Sequence, residues 1–256
     1  MSNNKVKIEF IASNQELLAI APKPYPSANK LPSWYKNTSS YVGGIQSVDQ
    51  FNDPSSTIKK CMPVFDIMTA GYHIPLHSDV WVENAGDMNI SFRWSWDTIE
   101  IVSVHPSEQH STYPIPPGYH DTAFKWISPW IIKTPPGWSC IFTHPYHYDD
   151  LPFRSFSALV DTDKHPAPTH FPFLLKKGFN GLIPLDTPMI QVIPFKRETF
   201  AAEYSFDDGS HNTLWQKAHT VFFDRYKKFF RSPKTYENVK PKESKCPFAF
   251  MHNPNK

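Results

Sequence analysis

The sequence predicts a mainly β protein: an antiparallel β-sandwich, jelly roll or β-clip-like roll carrying one C-terminal α-helix. Three observations predict it. Between Ile127 and Arg197 the short apolar runs SPWIIKTPPGW, SALVDTD and GLIPLDTPMIQVIPFKR are cut by prolines at intervals too brief for helices. Pro numbers 26 against 9 Gly while aromatics make up 15% of the chain, and disorder depletes aromatics, so this is a folded chain with stiff corners. About ten short strand candidates then follow one another at the spacing of an all-β domain.

The elements read as follows. Val6, Ile8 and Phe10 alternate with Lys5, Lys7 and Glu9, an opening strand with one wet face. PKPYPSANKLPSWYKN is too proline-dense for a helix or a central strand and is expected to wrap the surface, pinned by Tyr25, Trp34 and Tyr35. Residues 66–70 make a helical turn ended at Gly71. Strands are expected at 72–82, 88–95, 99–104, 124–126, 130–134, 138–143, 156–160, 170–175, 181–184 and 189–194. Asn84-Ala-Gly-Asp87 supplies a hairpin turn between the first two. Ile90, Phe92, Trp94, Trp130, Ile141, Val160, Ile190 and Val192 are the expected core.

The last fifth changes character. From Asn212 or Thr213, Leu214, Ala218, Val221, Phe222, Tyr226 and Phe229 recur at steps of three and four, which predicts a single helix stopped by Pro233. Such a helix would be about 27 Å long and lie across the sheet. The division is therefore a β domain at 1–205, with its proline-rich N-terminal wrap, and a helix with an extended basic tail at 206–256.

At 256 residues the chain can bury roughly 70–75% of its unfolded surface without a staple. Cys61, Cys140 and Cys246 are odd in number and form no CxxC pair, so free thiols in a reducing cytoplasm are expected. A net charge of +2 gives no global pull toward nucleic acid or anionic membrane. No signal peptide or membrane-spanning run is read. Walker, GxGxxG, GxSxG and HExxH signatures are absent from the sequence.

Four sets of residues can carry chemistry. His77-Ser78-Asp79 has the H-x-D spacing of a 2-His-1-carboxylate Fe(II) site, with His170 and Arg197 as the downstream third ligand and 2-oxoglutarate anchor. The same residues fit an ordinary strand with a wet edge. His144-Pro-Tyr-His147-Tyr-Asp149-Asp150 packs four potential ligands for a divalent metal into a stiff loop, and equally describes a polar surface loop. Asp161 and Asp163 follow an apolar strand, where paired carboxylates orient a water or bind a cation, or else close an Asx turn. Residues 225–245, opening on Arg225 and closing on Lys245, interleave basic and aromatic side chains as a phosphate-tracking surface does; helix-end cations and a solvated tail are the alternative.

Several phrases resemble an uncharacterised family of T4-like phages, notably cyanophages, and of some bacteria: TIKKCMPVFDIMTAGYHIPL, SPWIIKTPPGWS, ALVDTD and PLDTPMIQVIPFKR, spread over 57–197. That resemblance implies a bacteriophage protein of the infected cell's cytoplasm or the virion. The pair LVDTD and DTPMIQ is also similar, in order and separation, to β-clip dUTPases and dCTP deaminases, which implies Asp161 as the carboxylate that positions the attacking water. Lys164 stands where that family has its sugar-stacking Tyr. Together these readings favour a non-enzymatic, virion-associated or host-interaction β module that binds another protein, with no cofactor. A cupin-like Fe(II)/2-oxoglutarate-type oxygenase using His77 and Asp79, and a β-clip nucleotide hydrolase using Asp161, are the alternatives. Oligomeric state is left open.

Overall fold

Every described strand ends within nine residues, so the chain turns back repeatedly, and every described strand pair is antiparallel. The computed structural model describes residues 6–48, 55–86, 89–95, 99–165, 167–206, 213–221 and 223–238. In chain order the strands are β1 (Glu9–Ala12), β2 (Tyr25–Pro26), β3 (Tyr72–Pro75), β4 (Val80–Asn84), β5 (Ile90–Trp94), β6 (Val102–Val104), β7 (Tyr119–Trp126), β8 (Trp130–Lys133), β9 (Trp138–Thr143), β10 (Phe153–Ser155), β11 (Ala158–Val160), β12 (Phe171–Lys176), β13 (Gly181–Ile183) and β14 (Pro188–Lys196). The helices are α1 (Gln15–Ile20), α2 (Ser33–Asn37), α3 (Met62–Met68), α4 (Thr213–His219) and α5 (Arg225–Phe229). A five-stranded sheet in the order β11-β9-β14-β3-β2 and a four-stranded sheet in the order β10-β12-β7-β6 form the body. The hairpin β4-β5 with β13, and the pair β1-β8, complete it without closing a barrel.

One hydrophobic cluster joins these sheets. Trp126 of β7 stacks on Phe173 of β12 at 4.0 Å between centroids, Phe153 and Phe124 pack around that pair, and Phe92 of β5 meets Phe124 at 4.7 Å. Phe142 of β9 meets Phe171 of β12 at 5.6 Å, so the two larger sheets share their interior. Ring pairs of this kind contribute about 0.5–1.5 kcal/mol each beyond their buried area. The expected core residues Trp130, Ile190 and Val192 are buried, and Ile90, Phe92, Trp94 and Val160 pack partly buried against the cluster. Ile141 is a correction: it is 37% exposed, because Cys140 and Phe142 take the inner face of β9 and alternation turns Ile141 outward.

The expected strand 72–82 is broken. β3 belongs to the five-stranded sheet and β4 to the hairpin, and the chain crosses between them at 76–79. Leu76 exchanges bonds with Thr187 and Asp186, which ties the crossing to the start of β14. The turn at Asn84 is as read: Gly86 has positive φ and its N–H donates to Asn84 Oδ1 at 3.2 Å. The N-terminal wrap is more regular than its prolines suggested. It adds β2 to the sheet edge and forms α2 directly after Pro32, burying Tyr35.

The single long C-terminal helix is also corrected. It is two short helices, broken at Asp224, whose φ of 58° is left-handed and whose carboxylate is held by Lys60 at 2.7 Å. The β-branched Thr220 and Val221 follow the end of α4 at His219 and lie within that break. Asn212 and Phe222, and the tail from 239 with Cys246, lie outside the described residues. Instead of crossing a sheet, this segment docks on 41–72. Phe223 meets Tyr41, Arg231 and Lys234 converge on Asp66, and the Tyr72 hydroxyl donates to the Glu237 carbonyl. Burial pulls the Asp66 pKa up, but the bonds from Arg231 and Lys234 outweigh it and hold the carboxyl below its usual value.

Candidate functional site

His77 and Asp79 sit in the crossing between β3 and β4 rather than at alternate positions of one strand. His77 is buried, its Nδ1 meets no partner, and desolvation lowers its pKa to about 4. Asp79 Oδ1 accepts the Leu185 N–H at 2.6 Å, which fixes the turn between β13 and β14. His170 lies exposed just before β12. Among the described residues no three His, Cys, Asp or Glu side chains come together as a metal site.

The 144–150 loop is a clasp. His144 Nε2 donates to the Tyr148 carbonyl at 3.2 Å and its Nδ1 accepts the Ser155 N–H at 3.3 Å, a neutral tautomer with both nitrogens occupied. Burial lowers its pKa to about 4. His147 instead contributes its backbone: it has positive φ, and its carbonyl accepts from Trp34 Nε1 at 2.7 Å. Tyr146 N–H donates to Gln191 Oε1, and the Tyr148 hydroxyl donates to the Lys30 carbonyl. The loop therefore ties the N-terminal wrap to β14 through His147, Tyr148 and Tyr146, while His144 bonds its own loop and β10.

Asp161 and Asp163 have a partner that local sequence could not reveal. Arg197, at the end of β14, grips Asp163 two-pronged at 2.8 and 2.5 Å and reaches Asp161 at 3.2 Å. Buried Ser139 donates to Asp161 Oδ1 and accepts from Arg197, both at 2.7 Å. The Gly137 N–H closes on Asp163 at 2.9 Å. Arg197 above all holds the Asp163 carboxyl well below the usual range. The guanidinium is thus committed to the carboxylate pair. This joins the β9 start, the turn after β11 and the β14 end. The Asp163 side chain is 6% exposed and that of Asp161 46%. Asp163→Ala should therefore lower the melting temperature clearly more than Asp161→Ala. Equal losses in a thermal melt would contradict this division.

A buried polar row was not singled out from the sequence. His73 of β3 is fully buried between Tyr25 and Tyr148, whose rings meet it edge-on at 5.7 and 5.5 Å. Neither of its nitrogens, nor Tyr25 Oη or Ser27 Oγ, makes a hydrogen bond of normal geometry to the described groups, although the Gln191 side chain stands near enough to favour the charged imidazole. Burial first, and the Lys30 charge second, push its pKa down to about 3. Beside it Gln191 is satisfied: its amide donates to the Ile67 and Ala70 carbonyls. A histidine in an apolar strand carries no mark of burial, so nothing in its neighbours announced this row.

Two surface features complete the picture. After β14 the chain runs from Glu198 to Phe206 without regular structure, and Phe200, Tyr204 and Phe206 are 85%, 96% and 91% exposed. Elsewhere on the surface, a cleft of about 290 Å³ opens between 56–61 and α5, lined by Lys60, Cys61, Arg225, Tyr226 and Lys227 among others. No described helix is long and apolar enough to cross a membrane. Compared with known protein families, curated proteins and solved structures, the chain matches none.

Proposed function

We propose that this chain is a protein-binding β module that grips its partner with the aromatic arm 198–206. The single observation behind this reading is the near-complete exposure of Phe200, Tyr204 and Phe206. Burying one such ring stabilises by roughly 1.5–3 kcal/mol, and here its own fold buries none of the three. Aromatic side chains are the residues that interfaces concentrate. On architecture, we read the four- and five-stranded sheets as the two layers of a β-sandwich, which holds the arm's root rigid through Arg197. The phage resemblance of 57–197 supports a partner in the virion or in the infected host cell.

The test compares tagged wild-type protein with the Phe200→Ala/Tyr204→Ala/Phe206→Ala variant in cross-linking from its native lysate. The wild type should retain a protein that the variant loses, with an unchanged melting temperature for the variant. Identical recoveries would remove the reading.

A further inference from the structure

We infer that the arm 198–206 binds by adding a β-strand to the open β5 edge of a second copy of this chain. The inference rests on the arm being a docking element and narrows how and where it docks. Its backbone and its periodicity are the reasons. Among the described residues no backbone N–H or C=O of 198–206 forms a hydrogen bond, although Arg197, at the arm's root, donates its N–H to the Gly137 carbonyl at 2.8 Å. Extended, the arm sorts its side chains with the period of a strand. Phe200, Ala202, Tyr204 and Phe206 fall on one face, and Thr199, Ala201, Glu203 and Ser205 on the other. Two-faced patterning on an unbonded backbone is what strand addition to a sheet edge uses.

β5 is the longest edge strand of the described sheets, five residues paired with β4 on one side and with no described strand on the other. Burial fades toward it. The inward Val80 and Val82 of β4 are 0% and 1% exposed, whereas Ile90, Phe92 and Trp94 of β5 are only partly buried against the same cluster. Ser91 and Arg93 are exposed on the other face, where Arg93 pairs with Glu83. One more strand, apolar inside and polar outside, would extend both faces of this sheet, and the arm has that pattern. Its size suffices as well. Aromatic rings bury about 150–250 Å² each, so three from each of two arms supply roughly 900–1,500 Å² before the receiving edges are counted. A specific interface buries about 1,200–2,000 Å² in total. An extended nine-residue arm reaches about 30 Å, enough to leave its own molecule. Each copy offers one arm and one edge, so a reciprocal exchange across a two-fold axis satisfies both and closes as a dimer.

Sedimentation of the full chain over a range of concentrations, read together with amide hydrogen exchange, tests this. Wild type should dimerise, and the amides of 198–206 and 90–94 should gain protection together as concentration rises. Ala201→Pro/Ala202→Pro removes two backbone donors and leaves every ring of the arm in place; it should weaken association at least about tenfold. The triple arm substitution should do the same, also at least about tenfold, through the rings. All five positions are exposed, so both variants should keep the wild-type melting temperature. A wild type that stays monomeric, a dimer that the proline variant leaves at full strength, or a dimer whose 90–94 amides gain no protection would each overturn the inference. Arm amides protected in a monomeric wild type would overturn it too, since the arm would then close on its own chain. If the wild type is monomeric but its rings still capture a different protein, only this inference falls. If the arm binds neither a second copy nor any other protein, the proposed function falls with it.

Discussion

Gly71→Ala should unfold most of the protein at conditions where the wild type is fully native. Gly71 has a φ of +66°, and a Cβ there would stand 1.9 Å from the Val192 carbonyl oxygen, 2.8 Å from its carbon and 3.0 Å from Ile193 Cα. All three are backbone atoms of β14, the strand that bonds to both β9 and β3. They cannot swing aside as a side chain can. Nor can the loop retreat easily, because the Gly71 carbonyl accepts the Ser27 N–H at 3.0 Å and so ties the N-terminal wrap to the same point. Gly178 is the control: its φ is +76° and nothing lies within 4 Å of its Cβ position. Gly178→Ala should cost about 1–2 kcal/mol, the left-handed penalty alone. Gly71→Ala adds a backbone clash and should exceed about 4 kcal/mol, in the range reserved for severe core damage. Urea melts of the two variants decide it, and closely similar midpoints would refute the account.

Gly71 also shows what was legible in the chain. Residue type marks Gly71 as a turning point, although the helix expected to end there runs over Met62–Met68 and stops at Thr69; its contact with Val192 depends on a residue 121 positions away. The same boundary recurs elsewhere. The β4-β5 hairpin was readable because Asn84 and Gly86 carry the turn in their own chemistry. The break at 76–79 was not, since it reflects which sheet each half joins. In β9, Ile141 and its neighbours Cys140 and Phe142 are all apolar, so alternation announced two faces without saying which was inner. The Asp161 and Asp163 pair is visible as a motif, but its meaning comes from Arg197, whose sequence position points instead to a 2-oxoglutarate anchor. The C-terminal periodicity was real and still failed, because Asp224 turns left-handed to meet Lys60. Local rules reached the mainly β class and most strand positions; long-range pairing decided the candidate site.

Acid should denature this protein well above the pH at which its paired carboxylates are discharged. His73, His77 and His144 are buried, with pKa values lowered from 6.5 to about 3, 4 and 4. A lowered histidine pKa means the unfolded chain takes up protons first as pH falls below 6.5. Stability is therefore fully present above that pH and declines until the folded form titrates near 4 or below. At pH 5 each group has lost about 2 kcal/mol, so the three together cost about 6 kcal/mol, comparable to the whole stability of many domains. Asp66 and Asp163 have lowered pKa values, so their pairing is lost only at more acidic pH and does not blur this window. The melting temperature should fall steeply from pH 6.5 to 4.5 and be flat from 7 to 8. His73→Phe isolates one group: its nitrogens make no hydrogen bond of normal geometry, so the variant should keep most of its stability at pH 7 along with the edge contacts of Tyr25 and Tyr148. It should also flatten the acid slope by up to about a third, since His77 and His144 remain and His105 and His170 are shifted in the same direction by burial. An unchanged slope in His73→Phe would mean that protons enter elsewhere, and that the row beneath the 144–150 clasp is not what limits the fold in acid.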